Sequence, residues 1–112
     1  MLGIDYPIIA APMFLISNTT MVKAALANGI TAAFPAMNYR TDAELRSAIQ
    51  EIKAATTKPF GVNLIVNKSN PKYKDHLNTL IELRVGFIIT SLGNPKEVIE
   101  RCKPLGIKVF CD

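Results

Sequence analysis

The chain lacks any apolar run of the roughly 18 to 20 residues that a membrane-spanning helix needs. Its N-terminus shows no basic region followed by an apolar segment. We therefore expect neither a membrane span nor a secretory signal peptide. Cysteine is scarce too, with only Cys102 and Cys111. Both fall on predicted core positions, which favours two buried free thiols in a reducing cytoplasm over a disulfide.

Combinations of residues that carry chemistry are also missing. The single histidine, His76, lies in the first turn of a predicted amphipathic helix, and we expect it to be solvated rather than to act as a base. No His/Cys spacing suits a metal ion, no pair of acids meets at the predicted strand ends, and no serine lies beside a usable base. These absences argue against a metal site and against unaided hydrolysis.

The net charge is modestly positive, at +4, with an isoelectric point near 9.2. The lysines are spread over predicted helices and loops, without an aromatic-rich stripe beside them. A nucleic-acid-binding surface would usually cluster such residues on one face. We interpret the charge as a solvated surface and expect no nucleic-acid partner.

The 112 residues do contain a regular alternation of short apolar runs and amphipathic segments. The apolar runs predict strands at residues 6–13, 30–36, 60–66, 86–91 and 107–111. Helices are predicted between them, and the residues that signal helix ends are Asn18, Gly29, the capping box of Thr41 and Glu44, Pro71, Asn94 with Glu97, and Gly106. The residues of the last helix that are predicted to face inward are Val98, Ile99, Cys102 and Leu105.

Apolar strands separated by helices indicate an α/β protein with a parallel sheet. An open doubly wound sheet and part of a TIM barrel are both compatible with this pattern. The loop after the first strand contains no glycine, which counts against a dinucleotide site of the doubly wound type. We therefore predict the N-terminal part of a parallel (β/α) TIM barrel, with five strands and four helices. A complete barrel typically needs about 250 residues, so residues 1–112 would form a little over half of this single domain.

Ligands of both sheet types bind at the carboxyl ends of the strands. In this chain those ends consist mostly of small, apolar or amide-bearing residues, at positions 11–13, 34–38, 63–65, 91–93 and 111–112. Such a rim suits a flat, largely apolar, hydrogen-bonding cofactor that brings its own reactivity. The first strand should stop at Pro12, which cannot donate a ladder hydrogen bond, and the bare backbone there would lie against the ligand.

Asn63 stands out because a carboxamide in a buried strand must find partners for its donors and its acceptor. It could bond the polar edge of a heterocycle or loop backbone inside the barrel, and the sequence leaves both interpretations open. Met13 could pack on a ring face, although methionine is commoner in a core. Ser91 could donate to a ligand or cap the following turn. Cys111 is interpreted as inert core.

Four segments, taken in order, resemble one family. They are Leu-Gly-Ile-x-Tyr-Pro-Ile-Ile-x-Ala-Pro-Met at residues 2–13, Pro-Phe-Gly-Val-Asn-Leu at 59–64, Thr-Ser-Leu-Gly-Asn-Pro at 90–95 and Gly-Ile-Lys-Val at 106–109. Over its whole length the chain resembles the nitronate monooxygenase (2-nitropropane dioxygenase) family and the related flavin-dependent enoyl-acyl-carrier-protein reductases.

The resemblance implies a TIM barrel that binds FMN at the strand carboxyl ends. In the family, the backbone that matches Ala11, Pro12 and Met13 lies near the isoalloxazine, and the asparagine that matches Asn63 contacts the flavin. The implied reaction is oxidation of alkyl nitronates with dioxygen through reduced flavin. The partners would then be a small-molecule substrate and dioxygen.

Two departures from the family pattern leave alternatives open. Many nitronate monooxygenases have a histidine where this chain has Ser91, and residues 93–95 are closer to the enoyl-reductase pattern. An NAD(P)H-dependent enoyl-acyl-carrier-protein reductase is therefore the first alternative. The family's segment of glycine and histidine and its phosphate-binding loops would lie beyond residue 112. The second alternative is a non-catalytic, truncated half-barrel that self-associates through its open strand edges.

Overall fold

The computed structural model describes residues 2–112, in which strands and helices alternate throughout. Within that range the strands are β1 (Ile9–Ala10), β2 (Thr31–Pro35), β3 (Gly61–Ile65), β4 (Phe87–Ser91) and β5 (Lys108–Cys111). The helices are α1 (Thr19–Ala27), α2 (Asp42–Ala55), α3 (Tyr73–Glu82) and α4 (Lys96–Cys102). Short 3-10 turns follow β2 (Ala36–Asn38) and α4 (Lys103–Leu105). No helix in residues 2–112 combines the length and hydropathy of a membrane span.

The strands pair in parallel, and their spatial order β1-β2-β3-β4-β5 repeats their order along the chain. A doubly wound sheet would reverse its direction of growth at a switch point, and the order of these strands shows no such reversal. Each strand is instead added on the same side, as in a (β/α)8 barrel. The result is a curled half-barrel with its helices on the outside.

The larger core lies between the sheet and the helices. Side chains from alternate strand positions are completely buried there, among them Phe34, Val62, Leu64 and Ile88. A smaller cluster on the opposite, concave face consists of Leu2, Ala33 and Phe87, with Ile9, Ile89 and Phe110 partly buried beside them. Because side chains alternate between the two faces of a strand, Asn63 and Ser91 share the concave face with Ile89.

The helix boundaries follow local capping chemistry. At the start of α1, the Asn18 side chain accepts a hydrogen bond of 3.0 Å from a backbone amide of the first turn. Thr41 and Glu44 form the predicted capping box at the start of α2. Gly29 and Gly106 have φ angles of 83° and 71°, the left-handed conformation expected just past a helix end. These contacts join residues close in sequence, which is why the boundaries could be predicted.

The first strand is shorter and more open than predicted. Only Ile9–Ala10 pair with β2, whereas we predicted a strand over residues 6–13, and both residues are only half-buried. The neighbouring Ile8 is 52% exposed. The reason is that β1 is an edge strand in the part of the chain that the structure describes, with a neighbour on one side only.

Two predictions for α4 are wrong. Glu97 makes no capping box with Asn94, because its carboxylate accepts hydrogen bonds from Tyr73 Oη at 2.9 Å and from Lys74 Nζ at 2.5 Å. Ile99 is 41% exposed rather than inward-facing. It lies beside the outer edge of β5, which has no further strand neighbour in residues 2–112.

The two cysteines differ in their surroundings. Cys102 is buried as predicted, and burial raises the pKa of its thiol. Cys111 is exposed, and the prediction of a core position is wrong because β5 is the second edge strand of the described sheet. Both thiols are free in the structure.

His76 is buried, with 3% of its surface exposed, whereas we predicted a solvated side chain. It lies one turn from Thr79, whose hydroxyl donates to the Asp42 carboxylate on α2, so the packing of α3 against α2 covers it. Burial and the Lys72 ammonium lower the pKa of His76. The Asp42 and Asp75 carboxylates act in the opposite direction, but the net shift is downward. Its Nδ1 has no hydrogen-bond partner among the residues described. A helical sequence pattern did not show which element would cover this side chain.

We expect folding stability to fall as the pH drops below 6.5, because the pKa of His76 in the folded chain lies below that ordinary value. The unfolded chain takes up the proton first, so stability is lost between 6.5 and the lowered pKa. The pKa of Asp42 is lowered from 3.8 by hydrogen bonds from Thr79 and Arg46, and its contribution is lost only at more acidic pH. Urea unfolding at a series of pH values measures both effects. His76→Leu should flatten the upper part of the profile, and an unchanged slope in that variant would contradict the assignment.

Candidate functional site

The carboxyl ends of the first four strands surround an open groove of about 470 Å³, which we call the strand-end groove. Its surface is mostly apolar, and the residues that line it are Pro12, Phe14, Pro35, Met37, Asn63, Ile65, Ser91 and Leu92. Three residues singled out in the sequence, Pro12, Asn63 and Ser91, therefore share one surface. Parallel pairing explains this, because it brings the carboxyl ends of all the strands to the same edge.

Asn63 joins β3 to β4 through its side-chain amide. Its Nδ2 donates to the Ile89 carbonyl at 3.0 Å and to Ser91 Oγ at 2.8 Å. The register places Asn63 opposite Ile89, and Ser91 is the next residue of β4 that faces the same way. The amide therefore bonds backbone inside the half-barrel, and it does so through its donors alone.

The Asn63–Ser91 pair leaves one acceptor and one donor available to a ligand. Both N–H groups of Asn63 are used, while its Oδ1 accepts no hydrogen bond from residues 2–112 and is not sealed from solvent. Ser91 Oγ accepts from Asn63, so the hydroxyl hydrogen remains free to donate. The two side chains thus form a short polar edge in an otherwise apolar groove.

Two exposed apolar side chains, Phe14 after β1 and Leu92 after β4, form walls of the groove and are 61% and 67% exposed. Leu92 has a φ of 64°, a left-handed conformation that costs a leucine roughly 1 to 2 kcal/mol. The turn there passes close to the end of β3, since a Cβ added to Gly93 would lie 3.0 Å from Val66 Cγ2. Backbone strain of this kind is common at ligand sites.

In the loop after β1, the Ser17 side chain holds the backbone of Ala11 and Met13. Ser17 Oγ accepts from the Met13 amide at 2.8 Å and donates to the Ala11 carbonyl at 3.3 Å, and Ser17 is completely buried. The Met13 side chain is 43% exposed, and neither Ala11 nor Met13 lines the groove. The structure therefore places Pro12, the middle residue of the Ala-Pro-Met segment, on the groove surface. Ala11 and Met13 lie next to it in the chain but outside the groove lining.

None of the groove-lining residues titrates near neutral pH. Groups with displaced pKa values lie elsewhere: burial and a hydrogen bond to Glu97 raise the pKa of Tyr73 to about 12, and burial raises the pKa of Tyr39. Within residues 2–112, no three His, Cys, Asp or Glu side chains are placed to share a metal ion. The residues of this groove can bind and orient a ligand, but they cannot exchange a proton with it at neutral pH.

Comparison with known proteins identifies the family, since the family model for nitronate monooxygenase matches residues 1–110. The chain belongs to the nitronate monooxygenase family. It is 35% identical over 81 residues to a probable nitronate monooxygenase of Staphylococcus haemolyticus (strain JCSC1435), covering 72% of this chain and 21% of that protein. Members of the nitronate monooxygenase family are oxidoreductases and in general depend on a flavin.

A second curated relative is the (3aS,4S,5R,7aS)-5-hydroxy-7a-methyl-1-oxo-octahydro-1H-indene-4-carboxyl-CoA dehydrogenase of Rhodococcus jostii (strain RHA1). It is 29% identical over 110 residues, which cover 98% of this chain and 30% of that protein. The chain therefore spans less than a third of the length of these curated relatives.

Solved structures agree with the family assignment. FabK from Thermotoga maritima is 31% identical, with a TM-score of 0.87, and the match covers 98% of this chain and 34% of that one. The nitroalkane oxidase from Streptomyces ansochromogenes, at 20% identity, shows the same fold, with a TM-score of 0.85 and coverage of 97% and 40%. These likenesses confirm the predicted N-terminal portion of a TIM barrel.

Sequence reasoning missed Phe14 and Ser17, and it placed Leu92 and Asn38 among the strand ends without assigning either of them a role in the groove. Phe14 and Leu92 are its exposed walls, and apolar residues in short connections carry no signal that separates a wall from a core position. Ser17 and Asn38 hold the loop after β1 through side-chain hydrogen bonds. Asn38 did carry a signal, because it is an amide in the short turn after a buried strand, as Asn63 is an amide within one.

Replacing Ser91 by alanine should destabilise the fold by about 1 kcal/mol, because the Asn63 amide keeps the Ile89 carbonyl but loses its second acceptor. Urea unfolding measures the change. The matched control is Ser47→Ala, since Ser47 is exposed on α2. An equal loss in both variants, or no loss in Ser91→Ala, would show that this hydrogen bond does not stabilise the contact between β3 and β4.

Proposed function

We propose that this chain binds FMN and acts in an oxidoreductase that oxidises alkyl nitronates with dioxygen. The observation that carries the proposal is the Asn63–Ser91 pair, a polar edge in an apolar groove at the carboxyl ends of β3 and β4. Family membership supports the flavin, since nitronate monooxygenases in general use one. We place the protein in the cytoplasm, where a reducing environment would keep Cys102 and Cys111 as the free thiols seen here.

The strand-end groove fits the isoalloxazine ring of FMN in chemical character. One edge of that ring carries an N–H donor flanked by two carbonyl acceptors, and the Asn63–Ser91 pair offers an acceptor beside a donor. The apolar residues of the groove, including Pro12, Phe14 and Leu92, suit the faces of an aromatic ring. When bound, FMN supplies the electron transfer between substrate and dioxygen. The residues of the chain would hold the ring, orient it and exclude water from part of its surface.

The groove formed by residues 2–112 favours a nitronate over a neutral nitroalkane as substrate. A nitroalkane must lose a carbon-bound proton before it is oxidised, and this step needs a general base. An alkyl nitronate is already the deprotonated anion. Ser91 cannot take up a proton at neutral pH.

A second candidate is NAD(P)H-dependent reduction of an enoyl thioester, as in the enoyl-acyl-carrier-protein reductases. One observation favours it. Two relatives that match over 98% of this chain, from Rhodococcus jostii and Mycobacterium tuberculosis, are named as dehydrogenases of a carboxyl-CoA, which is a thioester. The same flavin site would then serve a carrier-bound substrate.

The edges of the sheet support a non-enzymatic alternative. In the range that the structure covers, β1 and β5 each pair with a single neighbour. Their outer backbone groups can therefore accept a strand from another chain. On this alternative the chain would form a homo-oligomer through its strand edges and would bind no flavin.

FMN binding is tested by titrating FMN into the purified chain and following flavin fluorescence and visible circular dichroism. We expect saturable binding that Asn63→Leu weakens about tenfold, as the loss of one hydrogen bond to the ring predicts. Ser47→Ala should bind like the unchanged chain. Sedimentation in the same buffer tests the alternative, because a stable dimer that rejects FMN would overturn the flavin proposal in favour of self-association.

The substrate class is tested on the flavin-loaded protein under anaerobic conditions. We expect an alkyl nitronate to bleach the flavin and the corresponding neutral nitroalkane to leave it oxidised, because the groove supplies no base. Readmission of dioxygen should restore the oxidised spectrum. Bleaching by NADPH, followed by reoxidation with a crotonyl thioester and no response to nitronate, would establish the reductase instead.

A further inference from the structure

The loop between β1 and α1 forms one wall of the strand-end groove, yet side-chain packing does not hold it in place. Phe14, Leu15 and Ile16 are 61%, 70% and 64% exposed. Burial of apolar surface is the main force that stabilises folded segments, and these three large side chains contribute little of it. Other contacts must therefore fix the path of this backbone.

The loop is also strained at Leu15, whose φ is 61°. For a residue with a Cβ, this left-handed conformation crowds the following carbonyl oxygen and is unfavourable. A leucine keeps such a conformation only where the surrounding structure enforces it. The enforcing contacts must act on the backbone, because the Leu15 side chain projects into solvent.

Ser17 Oγ supplies two contacts to the backbone before Leu15, and the Asn38 side chain supplies two more through both of its polar atoms. Asn38, in the 3-10 turn after β2, accepts a hydrogen bond from the Leu15 amide through Oδ1 at 2.8 Å. Its Nδ2 donates to the Ser17 carbonyl at 2.7 Å. Ser17 in turn donates its backbone amide to the Met13 carbonyl at 2.9 Å. The Asn38 side chain thus binds the backbone at both ends of residues 15–17 and connects this loop to the turn after β2.

We propose that Asn38 is a positioning residue that fixes the loop of residues 13–17 as a wall of the strand-end groove and thereby sets the affinity for the flavin ring. The proposal rests on the proposed binding of FMN in that groove. Asn38 does not line the groove, so it acts through Phe14, which does. A carboxylate of the same shape could accept from Leu15 but could not donate to Ser17, so a carboxamide is required for both bonds.

Amide hydrogen exchange, measured residue by residue by NMR on the full chain without flavin, tests the positioning role directly. We expect the Leu15 amide to exchange about tenfold faster in Asn38→Ala, because its acceptor is removed. Asn38→Asp keeps an acceptor, so Leu15 should stay protected. The matched control is Asn28→Ala, since Asn28 Nδ2 donates to the Ala24 carbonyl at the end of α1.

FMN titration of the same variants gives the functional readout. We expect the Kd for FMN to rise about tenfold in Asn38→Ala, less in Asn38→Asp, and not in Asn28→Ala. Visible circular dichroism of the bound flavin reports how the ring is held rather than how stable the fold is. It should change most in Asn38→Ala.

Two results would overturn the proposal: unchanged exchange at Leu15 in Asn38→Ala, or an equal loss of FMN affinity in Asn28→Ala and Asn38→Ala. If the unchanged chain does not bind FMN, the proposed function fails together with the flavin part of this inference. The exchange of the Leu15 amide would still decide whether Asn38 fixes the loop.

Discussion

The register between β3 and β4 is the constraint on which the candidate site depends. It sets Asn63 opposite Ile89, with Ser91 two residues further along, so that one amide reaches a backbone carbonyl and a hydroxyl. A slip of one residue would turn Asn63 toward the helices and bring its neighbours onto the concave face. Those neighbours, Val62 and Leu64, are completely buried under the helices, and their burial opposes the slip. The polar pair therefore owes its geometry to the hydrophobic core on the other face.

The order of the elements and most helix ends could be predicted because their signals are local. Apolar runs mark the strands, and pairs such as Thr41 and Glu44 act over a few residues. The burial of single side chains depends instead on which element packs above them. The α2–α3 contact covers His76, whereas Ile99 and Cys111 lie at the uncovered edge of β5. No window of sequence contains that information.

The same distinction between local signals and long-range contacts applies to the candidate site. Asn63 and Ser91 could be brought together by reasoning alone, because parallel strands must align their carboxyl ends. The walls of the groove could not be predicted. The turn after Phe14 and the turn after β4 depend on Leu15 and Leu92 in the left-handed conformation, which leucine does not favour. The bonds of Asn38 span 21 and 23 residues of sequence, so only the folded chain shows what that amide does.

The residues of the concave face explain why the groove can orient a ligand but is poorly equipped to react with it. Gly61 lies against the Phe87 ring, since a Cβ there would be 2.1 Å from a ring carbon, and Phe87 meets Phe110 edge to face at 5.5 Å between centroids. This aromatic layer lies one step below Asn63 on the same face of the sheet. Because no groove residue titrates near neutral pH, the Asn63–Ser91 edge can align a ligand but cannot exchange a proton with it.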